Sequence, residues 1–212
     1  MNSLDSGAVS PTAARIYGAA AIVAPILLLA STVTYITAGD GINDGVLGGT
    51  IGVWSCFALA IAFVGLLRLL EPAAPKAAPI LTIVALTGFA AGVAFNVQAI
   101  FTAYFGPQID DFMDTVDGSD AIAVLAFLPW GWFAPVTFAA TGIVLWRTRS
   151  TTRWSAGLLV AAGVLFIASR PARIDPLAVI SDVVLILALA PIGWSIVTRR
   201  TTSALAPSPA TT

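Results

Sequence analysis

An aspartate inside an apolar run is the first residue of this chain that could do chemistry. Asp182 lies within Ile174–Trp194, a stretch long and apolar enough to cross a bilayer. A carboxylate at membrane depth is costly and needs a counter-ion, hydrogen-bond donors or a water-filled space. Arg170 and Arg173 stand just before the stretch. Their stems can lie along apolar surface while the guanidinium reaches a carboxylate. A structural ion pair with Asp182 is expected, Arg170 ahead of Arg173.

Depth groups further residues with this acid. A helix rises about 1.5 Å per residue, so Asp182 sits roughly 10 Å in from the start of its stretch. Trp54 and Ser55, Asn96 and Gln98, and Trp130 and Trp132 lie at matching depth in three other apolar stretches, with Tyr104 nearer the mouth. The opposite halves of these stretches are almost purely aliphatic. Trp54, Asn96, Gln98, Trp130 and Asp182 are therefore the candidate ligand-binding residues of one pocket, polar groups set in apolar walls. The competing reading is structural. Asn and Gln bond between spans, Trp favours the membrane interface, and the acid need only pair with its arginine.

Enzymatic chemistry finds little support. The chain has one cysteine, Cys56, and no histidine. That excludes an intrachain disulfide, His-based zinc sites and a Ser-His pair. An aspartyl dyad needs two close carboxylates, and Asp182 is alone at depth. A Schiff base needs a membrane lysine, and Lys76 falls in a loop. The Gly-rich segment 40–49 lacks the Lys-Ser/Thr ending of a phosphate loop. No catalytic residue, metal ligand or cofactor is expected. Asp111, Asp114, Asp117 and Asp120 recur at every third position without the EF-hand spacing. With Phe112, Met113 and Val116 they read as a short amphipathic helix on the membrane surface, in preference to a calcium site.

The elements that must position these residues are apolar helices. The chain is 58% hydrophobic and 10% charged, against about 25% charged in a soluble domain. Stretches at 15–37, 46–70, 78–105, 121–146, 153–170 and 175–197 approach spanning length. The expected fold is an all-α integral membrane protein with six transmembrane helices in one bundle. Residues 1–14 form a cytoplasmic N-terminal segment, 15–200 the transmembrane domain and 201–212 a polar, Pro-containing disordered tail. The first stretch exceeds the usual signal-peptide core and is read as a retained span. Arg15, Arg68, Lys76, Arg147, Arg149, Arg153, Arg199 and Arg200 fall on one side of this arrangement, and Arg170 and Arg173 on the other. The positive-inside rule then puts both termini in the cytoplasm. The bias toward Arg and Ala suggests a high-GC bacterial genome.

Trp54-Ser-Cys-Phe-Ala with Gly65 matches Trp130-Gly-Trp-Phe-Ala with Gly142, and Ala90–Phe95 matches Ala161–Phe166. A parallel hairpin repeat of spans 2–3 and 4–5 competes with coincidence among common residues. The small-residue pairs Ala20/Ala24, Gly48/Gly52, Gly88/Gly92 and Gly157/Ala161 suit close helix packing within the bundle. Pro25, Pro129, Pro135 and Pro191 are expected to bend their spans.

This layout resembles that of many small six-span bacterial membrane proteins. It also resembles the substrate-capturing subunits of energy-coupling-factor vitamin transporters. The second resemblance implies ligand binding in the outer half and a partner subunit contacted near Ala20/Ala24; it is one of architecture alone. The expected function is non-enzymatic: binding, with passage as a further step, of a small or lipid-like molecule. The alternative is an accessory subunit whose buried polar groups only fix helix packing. Lipids, a small-molecule ligand and a membrane partner subunit are the expected partners, and nucleic acid is not.

Overall fold

The computed structural model describes residues 9–106 and 131–204, without the side chains of 199–204. The acidic run 110–120, Trp130, Pro129 and residues 205–212 lie outside these. Among the described residues there are six helices and no strand: α1 (Pro11–Ala38), α2 (Val46–Leu70), α3 (Ala77–Phe105), α4 (Phe133–Thr148), α5 (Arg153–Ser169) and α6 (Asp175–Ala204). Apolar runs become helices because a helix pairs its own backbone groups where water is scarce. Helices α1, α2, α3 and α6 are long and apolar enough to cross a membrane. Helix α5 has 17 residues, about 25 Å of rise. Helix α6 runs past residue 200 to Ala204, since nothing before Pro207 breaks it.

Helix ends follow local chemistry. Ser10 caps α1 by accepting from the Ala13 N–H at 3.2 Å, with Pro11 next. Thr152 caps α5 through the Ser155 N–H. The α5–α6 turn is a Schellman motif. Ile174 N–H donates to Ser169 O at 3.0 Å and Arg173 N–H to Arg170 O at 3.2 Å, with Arg173 left-handed at φ 50°. This turn fixes Arg170 one step beyond α5 and twelve residues before Asp182 of α6. Pro176 and Pro135 both fall in first turns, where no N–H is needed. The break at Trp132, between helical Gly131 and Phe133, lies one turn before Pro135, where a proline bend would fall.

Each helix packs on its sequence neighbours, and α6 closes on α1, so the six form a ring. Paired contacts show that neighbours run antiparallel: Tyr17 on Gly65 and Tyr35 on Gly48, then Gly88 on Ala134 and Phe95 on Gly131. The ring is filled by Leu59, Phe63, Leu67, Phe89, Phe138, Leu159, Leu185 and Leu189. Phe63, Phe89 and Phe138 form a three-ring layer with centroids 5.4–6.0 Å apart, and Phe166 stands edge-on to Phe138 at 5.9 Å. Such rings attract beyond their area burial.

The repeat gains no support. Gly65 is filled by Tyr17 of α1, outside its hairpin, whereas Gly142 abuts Ala156 and Val160 of α5, inside its own. Gly157 is no close-approach point either: only the Trp146 ring comes near it.

One buried hydroxyl is unmatched. Thr141, one turn beyond Phe138, is fully buried, and its Oγ1 has no partner among the described residues. An orphaned buried donor costs about 1–3 kcal/mol. Thr141→Val keeps the shape and removes the orphan. It should stabilise by about 1 kcal/mol, read as a higher Tm; a lower Tm would show that the hydroxyl is bonded.

Candidate functional site

The site lies at the end of the ring that holds the α1–α2 and α5–α6 turns. Arg170 projects from the Schellman turn, and Asp182 sits two turns into α6. Arg170 Nη2 lies 3.1 Å from Asp182 Oδ1 and 3.0 Å from Oδ2. A third helix joins them: Thr32 of α1 donates its hydroxyl to Asp182 Oδ2 and accepts from Arg170 Nη2 at 2.7 Å. Asp182 is fully buried and Arg170 is 11% exposed at its side chain. The guanidinium also stacks on Phe166, 4.8 Å from the ring centroid, a cation–π contact. One cluster thus ties α1, the α5–α6 turn and α6. Arg173 forms no ion pair in this cluster.

Asn96 is held in a second cluster. Its Oδ1 accepts from Tyr35 Oη at 2.9 Å, and its Nδ2 donates to Gly92 O at 2.7 Å and toward Cys56 Sγ at 3.7 Å. Tyr35 reaches across from α1 because Gly48 leaves room for its ring, and Gly52 leaves room for Asn96. Ser31 donates to Gly48 O and Ser55 to Ala24 O, fastening α1 to α2.

Between the two clusters lies a cavity of about 260 Å³. Leu59, Phe89 and Phe138 form its floor, on the aromatic layer, and Phe95, Trp132, Phe166 and Ile167 form its walls. Asn43, Arg170 and Pro171 stand toward the turns, while Cys56, Gly92 and Asn96 line the α2–α3 side. A second cavity of about 220 Å³ opens from the opposite end between Leu66, Leu145, Ser150 and Ile192. Leu59 and Leu66, like Phe138 and Leu145, differ by seven residues. The partition between the cavities is therefore about 10 Å thick.

Comparison with family models, with curated proteins and with solved structures finds no match for this chain. The site is read from its geometry alone.

The structure separates the residues that depth had grouped. Asn96 lines the cavity. Asp182 stands behind Arg170 and does not. Trp54 is 62% exposed and stacks edge-on against Phe57 on the outer face of α2. Gln98 is half-exposed and lies outside the lining. Trp54, Gln98 and Asp182 are thus corrected as cavity residues: depth fixes height along a helix, not the side a residue faces. Trp130 lies outside the described residues; its neighbour Trp132 lines the cavity. Thr32, Tyr35 and Cys56 are site residues that the sequence reading missed. Ser31, Thr32 and Tyr35 do form a hydroxyl stripe at helical spacing, a signal that was available. Ala24 is fully buried inside the bundle, so the Ala20/Ala24 pair is not an open face.

The arrangement can hold an apolar body against aromatic rings and present guanidinium donors to it. Among the described residues no group of His, Cys, Asp or Glu is placed to hold a metal ion.

Proposed function

We propose that this protein is a six-span membrane protein that binds a small amphipathic molecule in the cavity beside Arg170. The observation carrying this reading is that a half-open, cation-bearing cavity persists among side chains whose polar groups are otherwise spent on one another. Binding sites have this character, apolar walls with a few placed polar groups. The volume of about 260 Å³ falls just below the usual range of about 300–1,000 Å³. It suits a small ligand and is too small for a whole diacyl lipid. The segregation of Arg and Lys supports a cytoplasmic location for both termini and an outward-facing cavity. The second cavity, behind the aromatic layer, supports passage as an extension of binding.

The rival reading, an accessory subunit with purely structural polar groups, is favoured by the full hydrogen bonding of Asn96. Cys56 separates the two, because the sole cysteine of the chain lines the cavity. A small membrane-impermeant methanethiosulfonate added outside intact cells should modify Cys56, and the same reagent should react far more slowly from the cytoplasmic side of inverted vesicles. A thiol that stays unmodified from both sides until the protein is denatured would remove the binding reading and leave the accessory one.

A further inference from the structure

We infer that the ligand carries an anionic oxygen head, a carboxylate in the simplest case, received by Arg170. This rests on the cavity being a binding site and adds the chemical class of its occupant. Among the described residues, Arg170 is the charged side chain that lines the cavity. Its Nη2 is committed to Asp182 and Thr32. Its Nε is buried without a partner among the described residues, and its Nη1 donates to none of them. A guanidinium offers five N–H donors and no acceptor, so what remains unspent can only donate. Nε is fully enclosed, so the donor within a ligand's reach is Nη1, which is unbonded among the described residues yet not one of the enclosed atoms; an acceptor arriving with the ligand would pair with it.

The neighbours decide between acceptor classes. Asn96 cannot help, since its amide is satisfied by Tyr35, Gly92 and Cys56. Asp182 does not reach the cavity, so a bound molecule meets the positive end of the ion pair. An amine would face that end directly and is excluded by like charge. A hydroxyl supplies a neutral acceptor only. A carboxylate forms charge-assisted bonds, roughly twice as strong. The aromatic walls then select an arylalkyl body.

The test uses the full chain in zwitterionic nanodiscs and reads the rate of Cys56 alkylation. The probes are 4-phenylbutyrate, 4-phenylbutanol and 4-phenylbutylamine. The carboxylate should protect Cys56 at a concentration at least about tenfold below the alcohol, which corresponds to about 1.4 kcal/mol, and the amine should protect least. In the paired change Arg170→Gln with Asp182→Asn, which leaves no lone buried charge, the preference for carboxylate over alcohol should vanish. Equal protection by carboxylate and alcohol, protection strongest with the amine, or a preference that survives the paired change would overturn the anionic head while leaving the cavity a binding site. Ready alkylation of Cys56 with no protection by any of the three would overturn both.

Discussion

Arg170→Leu should destabilise the protein by about 3–5 kcal/mol, the usual loss when one member of a buried charge pair is removed. Asp182 is fully buried, so without Arg170 its carboxylate keeps only the Thr32 hydroxyl. Asp182→Leu should cost less. Arg170 stands at the cavity mouth with 11% of its side chain exposed, and a long side chain can swing its charge outward. The double change should recover part of the loss, because neither charge is then stranded. A coupling of about 2 kcal/mol or more is expected, well above the roughly 0.6 kcal/mol average for hydrogen bonds between membrane helices. Thr32→Val, which removes only a hydroxyl, should fall near that lower figure or about 1 kcal/mol. Reversible unfolding in mixed detergent measures all four variants. Additive losses in the cycle would rule out direct pairing.

This pair was legible in the sequence because both partners are chemically conspicuous. An acid within an apolar run demands a counter-ion, and Arg170 was the preferred of two candidates. Helix extents were legible for the same reason: the expected stretch 46–70 coincides with α2, and 78–105 nearly so with α3. Azimuth was not legible. Apart from the hydroxyl stripe of α1, these helices are apolar on every side, so no polar stripe marks which face turns inward. Trp54 and Cys56 are two residues apart on α2 and at almost one depth. One turns outward and the other lines the cavity. Only the neighbouring helices decide that, through contacts such as Gly92 against Cys56. The link between Tyr35 and Asn96 was hidden by the 61 residues that separate them. It depends on glycines at 48 and 52, which the sequence shows as small without showing what they admit.

The seam that closes the ring was likewise hidden, and it carries the second large effect. Gly18 of α1 and Gly193 of α6 face each other. A Cβ on Gly193 would lie 2.5 Å from Gly18 O and 2.9 Å from Ile22 Cγ1, and one on Gly18 would lie 2.8 Å from Gly193 O. The obstructing atoms include backbone on both sides, so no rotamer change relieves them. Alanine gains up to about 1 kcal/mol over glycine in a helix. Overpacking typically costs about 1–3 kcal/mol, occasionally more, and a backbone clash belongs at the upper end. Gly193→Ala should therefore lose about 2 kcal/mol net. Gly157→Ala provides the contrast. Its Cβ would meet only the edge of Trp146 at 3.2 Å, and that ring is about half exposed and free to shift. This change should be neutral or stabilise by up to about 0.5 kcal/mol, since propensity outweighs a soft contact. The seam also bears on the site. Moving α1 away from α6 carries Thr32 away from Asp182, so the Arg170–Asp182 coupling measured in a Gly193→Ala background should change, and in a Gly157→Ala background it should not. Equal stability of the two alanine variants would mean that α1 and α6 do not meet at these glycines.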